Sequence, residues 1–172
     1  PRGRRPERGR TIVNAEFRQA ASGHRPLVGT FQKFPTHQST ELLGLAGFDF
    51  TVVDCEHAPI GSDSLDRIAL ASRAARIPAL VRVTSVRDPL IGQALDMGFA
   101  GVLVPHVIDA TDAERAVSAA RFTGRRGMSS SPRAGEYGAW GMAEYRERSD
   151  AAVSVWCQIE DWEALENLGS IA

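Results

Sequence analysis

Three side chains able to take part in proton transfer lie at the end of the apolar segment 48–54 or within three residues of it. Asp54 ends the segment, and Glu56 and His57 come directly after it. A histidine beside carboxylates can be held in one tautomer and made more basic, so His57 is a candidate general base with Asp54 as its neighbour. The alternative interpretation is a histidine that caps the next loop.

Arg82 lies inside the apolar segment 79–83. A guanidinium group stays protonated and needs an anionic partner when its surroundings are apolar. That partner is either an acidic side chain, in a structural ion pair, or the carboxylate or enolate of a substrate. Both interpretations stand at this point.

Glu160 follows the apolar segment 153–159, in which Trp156 and Gln158 alternate onto the same face. A carboxylate that points inward from a strand end is either paired with arginine or bound to a hard cation such as magnesium or manganese. One carboxylate makes a poor metal site, so a second oxygen ligand is expected.

Four further residues give weaker indications. His106 follows the apolar segment 101–104 and either lines a pocket or stabilises a loop. Asp96 lies near the end of a predicted helix, where a solvated role is the simplest. Lys33 is the single lysine of the chain, so a Schiff-base mechanism would have to use it. Strand alternation points the thiol of Cys55 away from Asp54, which disfavours a nucleophilic role.

Short apolar runs alternate with segments of helical period, which predicts parallel strands joined by helices. Helix boundaries are indicated by Gly47, by Asp88 with Pro89, by Gly98, and by a capping box from Thr111 to Glu114. The segment 122–138 is predicted to be a long loop, with a helix near 140–148. The strands are predicted at 28–31, 48–54, 79–83, 101–104 and 153–159.

This order predicts an α/β fold, either an open doubly wound sheet or a (β/α)8 barrel. The glycine-rich phosphate-binding motifs of nucleotide-binding sheets are absent from the sequence. Polar residues at the ends of several strands favour the barrel, whose active site lies at that rim. We expect a basic N-terminal arm and lead-in helix over 1–25, and a partial barrel domain over 26–172.

The composition is that of an ordinary globular domain, with 43% hydrophobic and 24% charged residues. The net charge of -1 gives no reason to expect a nucleic-acid or membrane partner. Residues 1–10 contain five arginines, which we interpret as an arm that is solvated or packed on a partner. Two cysteines and the lack of a signal-like segment favour a cytoplasmic location.

Ordered sequence motifs resemble those of the HpcH/HpaI aldolase family. The segment 29–33 (GTFQK) is similar to the opening of the macrophomate synthase-like members. The other matching motifs are 47–50 (GFDF), 54–57 (DCEH), 80–83 (LVRV), 95–98 (LDMG), 101–105 (GVLVP), 126–127 (RG) and 158–160 (QIE).

The resemblance implies a (β/α)8 TIM barrel that binds a divalent cation, magnesium or manganese, with cobalt as a further option. It implies a homo-oligomer, usually a hexamer, that binds pyruvate or oxaloacetate at the rim. By this resemblance, His57 is the general base with Asp54 as its partner, and Arg82 stabilises the enolate. Glu160 is a metal ligand and Gln158 is a substrate contact. Asp96 is an acidic member of the catalytic network.

Only about the first five βα units of the implied barrel lie within this chain. The family's second metal-ligating aspartate belongs to the next strand, and is therefore expected beyond Ala172. The leading hypothesis is a class II pyruvate aldolase that cleaves or forms 4-hydroxy-2-oxo acids through an enolate, with an aldehyde or other acceptor. The alternatives are an oxaloacetate-using condensing enzyme or decarboxylase on the same site, or a truncated, non-catalytic assembly subunit.

Overall fold

Five strands and eight α-helices make up residues 13–172, the part of the chain that the computed structural model describes. The predicted basic arm over residues 1–10 lies outside these residues. The strands are β1 (Gly29–Gln32), β2 (Phe50–Asp54), β3 (Ala79–Arg82), β4 (Gly101–Val104) and β5 (Ser154–Cys157). The helices are α1 (Val13–Ala21), α2 (His37–Ala46), α3 (Ser62–Ala75), α4 (Leu90–Met97), α5 (Ala110–Ala120), α6 (Met142–Ala152), α7 (Trp162–Glu166) and α8 (Leu168–Ile171).

All five strands are parallel and pair in sequence order, from β1 to β5. The predicted α/β alternation is therefore confirmed. Parallel pairing brings the carboxyl ends of all five strands to one edge of the sheet, and this edge is called the rim below. The register sets Asp54 directly beside Arg82, so these two side chains point to the same face.

The two faces of the sheet differ in what covers them. On the outer face, apolar side chains of β2, β3 and β4 pack with those of α3, α4 and α5 in the main core. On the inner face, Phe17 of α1 packs against Phe50 and Trp156, with ring centroids 5.6 and 5.8 Å away. The helices on the outer face therefore hold the strands in place through the main core. Asp54 and Arg82 lie on the inner face, at the rim.

Two predicted boundaries were wrong for local reasons. Strand β2 begins at Phe50, not at residue 48, because Gly47 adopts a left-handed conformation and the Phe48 amide still bonds to the Leu43 carbonyl of α2. The cap of α5 is Asp109, whose carboxylate accepts a hydrogen bond from the Asp112 amide at 2.9 Å. A cap two residues earlier replaces the predicted box from Thr111 to Glu114.

The last strand is shorter than predicted. It ends at Cys157, and the Gln158 amide makes one more bond to the Val104 carbonyl at 2.8 Å. Glu160 consequently lies in the loop before α7 rather than on the strand.

The predicted loop 122–138 contains one short 3-10 helix, Arg133–Gly138, before α6. Within residues 13–172, no helix is both long and apolar enough to cross a membrane.

Candidate active site

Asp54 and Arg82 form a two-point ion pair at the rim. Arg82 donates from Nε to Oδ1 of Asp54 at 3.0 Å and from Nη2 to Oδ2 at 2.7 Å. Both residues are buried, and the guanidinium also lies over the ring of Phe31, 4.8 Å from its centroid. The structural partner expected for Arg82 is therefore present. Because a guanidinium has five N–H groups, the pair leaves donors of both Nη atoms for other partners.

Asp54 also orders the turn that follows β2. Its Oδ1 accepts hydrogen bonds from the backbone amides of Glu56, at 3.2 Å, and His57, at 3.0 Å. Burial raises the pKa of Asp54, but the bonds from Arg82 and His57 and the ammonium of Lys33 lower it by more. The net pKa is well below the ordinary value, so the carboxylate is charged at neutral pH. Asp54 thus contacts His57 through the backbone and not through the imidazole.

Glu56 is the carboxylate at the centre of the site. Its Oε2 lies 3.1 Å from Arg82 Nη1 and 3.6 Å from His57 Nε2, and its Oε1 lies 3.6 Å from His106 Nε2. The side chain is mostly buried, yet Oε2 has no hydrogen-bond partner within the described residues. The ion pair with Arg82 offsets part of the cost of burying this charge, and the lone pairs of Oε2 that accept no hydrogen bond are suited to a ligand.

His57 is the more exposed of the groups that follow β2, with 62% of its side chain accessible. Its Nε2 faces Glu56, and its backbone is held by Asp54. An exposed imidazole that is anchored by its backbone and lies beside a carboxylate is free to exchange protons with a bound substrate.

His106 connects β4 to the loop after β5. It has a positive φ of 53°, and its amide donates to Glu160 Oε1 at 3.1 Å. Its Nδ1 lies 3.0 Å from Asp161 Oδ2 and 3.4 Å from Glu160 Oε1. The bond to Asp161 and the charge of Glu160 raise the pKa of His106. His106 thus lies beside Glu56 and Glu160 at the rim and also ties β4 to the loop after β5, so its contacts agree with both roles that the sequence left open.

Glu160 and Gln158 lie side by side at the end of β5, where Gln158 Nε2 donates to Glu160 Oε2 at 2.8 Å. The Oε1 of Gln158 is buried and has no partner within the described residues. Carboxylate and amide oxygens are the donors that magnesium and manganese prefer. Over residues 13–172, however, no group of three or more histidine, cysteine or acidic residues could hold a metal ion. Glu160 therefore fits one position of such a site, and the described residues do not complete it.

Asp96 belongs to a second group of residues, on the outer side of the sheet. Its Oδ1 accepts from Arg126 Nη2 at 2.6 Å and faces the hydroxyl of Tyr145 at 3.4 Å. Arg126 also donates to Ser149 at 2.8 Å and lies over the ring of Phe122, 4.2 Å from its centroid. No contact joins this group to Asp54, Arg82 or Glu160 among the described residues, so the structure separates Asp96 from the other predicted site residues.

Two acidic residues of the site were not predicted from the sequence. Glu56 was identified only as a neighbour of His57, and Asp161 was not a candidate. The signal for Glu56 was its position two residues after the apolar strand that ends at Asp54. The position of Asp161 could not be inferred, because it depends on the turn that follows Glu160. Burial raises the pKa of Cys55 to about 11, so its thiol stays protonated at neutral pH. This agrees with the argument from strand alternation against a nucleophilic role for Cys55.

Comparison with known proteins places these features in a family. The model of the HpcH/HpaI aldolase/citrate lyase family matches residues 28–172. The chain is 35% identical over 163 residues to the 5-keto-4-deoxy-D-glucarate aldolase of Klebsiella pneumoniae subsp. pneumoniae, covering 94% of this chain and 63% of that protein. The chain thus spans less than two thirds of the length of this relative.

Two solved structures have the same fold. Citrate synthase SbnG is 30% identical, with a TM-score of 0.78 over 90% of this chain and 59% of that one. Macrophomate synthase is 25% identical, with a TM-score of 0.78 over 96% of this chain and 60% of that one. The prediction of a partial TIM barrel is confirmed by this likeness, and so is the resemblance of the opening segment to macrophomate synthase. The chain belongs to the HpcH/HpaI aldolase/citrate lyase family.

Proposed function

We propose that this chain forms the keto-acid side of the active site of a metal-dependent carbon–carbon lyase, a class II pyruvate aldolase acting on 4-hydroxy-2-oxo acids. The observation that carries the proposal is the position of Arg82. Asp54 and Glu56 hold its guanidinium at the rim, next to two imidazoles and Glu160. The name of the aldolase from Klebsiella supports the same class of reaction.

The charges at the rim favour a bound cation. Within the described residues, four carboxylates (Asp54, Glu56, Glu160 and Asp161) face two permanent cations (Arg82 and Lys33). An anionic keto acid would be repelled by this excess of negative charge. A divalent cation, magnesium or manganese, would correct the imbalance. We propose Glu160 as one of its ligands, with the others outside the described residues.

Such a cation would supply Lewis acidity at the keto acid's carbonyl and carboxylate oxygens. The chain's own contribution is the fixed positive charge of Arg82. We propose that its remaining Nη hydrogens face the position where negative charge develops when the substrate becomes an enolate. Because Asp54 fixes the guanidinium before the substrate arrives, no reorganisation is needed during the reaction. Gln158, whose Oε1 has no partner among the described residues, is proposed as a further substrate contact.

Cleavage of the 4-hydroxy-2-oxo acid breaks the bond between C3 and C4. We propose that His57 accepts the proton of the C4 hydroxyl, which becomes the aldehyde oxygen, while the bonding electrons form the enolate of pyruvate. Return of the proton to C3 then gives pyruvate. Glu56, 3.6 Å from His57 Nε2, would stabilise the imidazolium between the two transfers. Asp54 is proposed to position both His57 and Arg82 rather than to carry the proton.

A second function uses the same residues. The likeness to citrate synthase SbnG and macrophomate synthase favours an enzyme that condenses or decarboxylates oxaloacetate. Both reactions pass through an enolate beside a keto-acid carboxylate, so Arg82 and Glu160 would keep their roles. The acceptor would differ, and we expect that side of the pocket to include segments outside residues 13–172 and a neighbouring subunit of a homo-oligomer.

The test is keto-acid cleavage with and without metal. The purified protein is incubated with 5-keto-4-deoxy-D-glucarate, and pyruvate is measured by reduction to lactate. We expect activity to disappear in excess chelator and to return with magnesium, manganese or cobalt. Full activity in chelator would contradict the metal-dependent mechanism. Pyruvate formed from oxaloacetate but not from the hydroxy acid would favour the second function.

A further inference from the structure

The loop 33–36, which connects β1 to α2, is held by the buried side chain of Gln32. Gln32 ends β1 and is 3% exposed. Its Nε2 donates to the carbonyl oxygens of Phe34 at 3.2 Å and Thr36 at 3.0 Å. Its Oε1 accepts from the hydroxyl of Thr40, on α2, at 2.8 Å. Both N–H groups of the amide are therefore used on the loop, and its oxygen is tied to the helix that follows.

Gln32 and Thr40, called the loop clamp below, do more than fill space. Thr40 is fully buried and Gln32 is nearly so. Burying an amide and a hydroxyl costs free energy that their hydrogen bonds offset, and two apolar side chains of the same shape would pack there about as well. Apolar side chains, however, could not bond to the carbonyl groups of the loop. The loop clamp therefore fixes the path of the loop 33–36.

The loop carries Lys33 to the rim. Its Nζ lies 3.3 Å from Asp54 Oδ2, the oxygen that accepts from Arg82 Nη2 at 2.7 Å. More than half of the Lys33 side chain is exposed, and ion pairs of this kind contribute about 0–1 kcal/mol to stability. The ammonium has a second effect, because it offsets part of the negative charge of Asp54. Asp54 then cancels less of the positive charge of Arg82.

We propose that Gln32 is a positioning residue for the reaction: with Thr40 it holds the loop so that Lys33 stays on Asp54, and Arg82 keeps more of its charge for the enolate. This inference rests on the proposed function, in which Arg82 faces the negative charge of the forming enolate. That charge develops in the transition state and is absent from the bound substrate. Loss of the loop clamp should therefore lower kcat and leave KM nearly unchanged.

The first experiment measures whether the loop clamp holds the loop. Lys33 is the single lysine of the chain, so an endoproteinase specific for lysine can cut only after residue 33, and cleavage requires the loop to open. We expect Thr40→Val, which keeps the shape but lacks the hydroxyl, to be cut about 2- to 10-fold faster, the effect of one hydrogen bond. Thr40→Ser, which keeps the hydroxyl, should be cut at about the wild-type rate.

Thr51→Val is the matched control. Thr51 is fully buried on β2, and its hydroxyl donates to the Thr30 carbonyl at 3.1 Å, away from the loop. This variant also loses one buried hydroxyl, but it should be cut at the wild-type rate. Faster cleavage in Thr51→Val than in Thr40→Val would mean that cleavage follows general stability, which would overturn the role of the loop clamp.

The second experiment measures pyruvate release from 5-keto-4-deoxy-D-glucarate at saturating magnesium. Thr40→Val and Lys33→Gln should each lower kcat about 2- to 10-fold, with a change in KM of less than about twofold. Because the loop clamp acts through Lys33, Thr40→Val should lower kcat no further in the Lys33→Gln background. Thr40→Ser and Thr51→Val should have the kcat of the wild type.

The outcomes separate this inference from the proposed function. Wild-type kcat in Lys33→Gln would overturn the inference alone, and so would additive losses in the double variant or a loop in Thr40→Val that is cut no faster. Should Thr40→Val not fold, Lys33→Gln decides the kinetic role by itself, since it alters an exposed side chain. Wild-type protein that releases no pyruvate, while its loop resists cleavage as expected, would overturn the proposed function and with it the positioning role.

Discussion

Two buried arginines in this molecule illustrate different uses of the same chemistry. Arg82 lies on the inner face in the rim cluster, defined as Asp54, Glu56, Arg82, His106 and Glu160. Arg126 lies on the outer side in the outer cluster, defined as Asp96, Arg126 and Tyr145. Both guanidinium groups bind a carboxylate at short distance and stack on an aromatic ring.

The difference lies in the balance of charge around each arginine. In the outer cluster, one carboxylate meets one guanidinium, and Tyr145 and Ser149 take further N–H groups. In the rim cluster, Arg82 meets both Asp54 and Glu56, and Glu160 and Asp161 add more negative charge. Within residues 13–172, each cluster has a buried atom that makes no hydrogen bond: Nε of Arg126, and the acceptor Oε2 of Glu56. An unsatisfied acceptor among excess carboxylates is an arrangement that a cation or a donor would complete.

The largest expected effect concerns His57, which lies beside the rim cluster. We expect His57→Ala to lower the turnover of 4-hydroxy-2-oxo acids by roughly 10²–10⁴, the usual range for a general acid–base group. Metal affinity should remain nearly unchanged, since Glu160 is separate from His57. His24→Ala is a matched control, because His24 is exposed and lies in the loop before β1. A near-normal rate in His57→Ala would mean that His57 stabilises the loop after β2 and takes no part in proton transfer.

The same substitution at both arginines should distinguish the two clusters. Arg82→Lys should lower turnover by roughly 10²–10³, because an ammonium cannot reproduce the fork that faces both Asp54 and the enolate. Arg126→Lys should instead lower the free energy of unfolding by about 1–3 kcal/mol, through lost bonds to Tyr145 and Ser149. Its turnover per folded molecule should stay close to that of the wild type. Steady-state kinetics and urea unfolding measure the two effects.

The opposite pattern would reverse the roles of the clusters. If Arg82→Lys were less stable but turned over normally, Arg82 would be a purely structural partner of Asp54. If Arg126→Lys lost turnover without losing stability, Asp96 would belong to the catalytic network, as the family resemblance implies. These outcomes test the separation of Asp96 from the rim.

The sequence predicted the strands better than the site. Continuous apolar runs located all five strands, because parallel strands that are covered on both faces leave that pattern. Arg82 was identified because a charge inside an apolar run needs a partner. The choice of Asp54 as that partner depends on the register between β2 and β3, which local sequence does not encode.

The residues beyond the strand ends were harder to predict. His106, which contacts Glu160 and Asp161, has a positive φ, which is uncommon for a residue with a side chain and is not indicated by the sequence. Asp96 was grouped with the catalytic residues by resemblance, and nothing in its local sequence indicated the bond to Arg126, thirty positions away. Contacts of this kind depend on loop geometry and on the packing of α6, which the local sequence does not encode.

The smallest expected effect is a pH dependence confined to the outer cluster. Burial, together with the nearby charge of Asp96, raises the pKa of Tyr145 to about 12. Because the unfolded pKa is about 10, the folded state favours the neutral phenol. Its contribution to stability is complete below about pH 10 and is lost as the pH rises toward 12.

Tyr145→Phe tests this contribution directly. The variant should be about 0.5–1.5 kcal/mol less stable than the wild type at pH 8, where it lacks the hydrogen bonds of the hydroxyl to Arg126 and Asp96. The deficit should shrink between pH 10 and 12, because only the wild type has a phenol whose ionisation favours unfolding. Urea unfolding at several pH values measures the stability. The tyrosinate absorbance that the variant lacks should appear near pH 12 in the folded wild type, and its appearance near pH 10 would mean that Tyr145 is not held by the outer cluster. Turnover at pH 8 should be the same in both proteins, since the rim cluster is untouched.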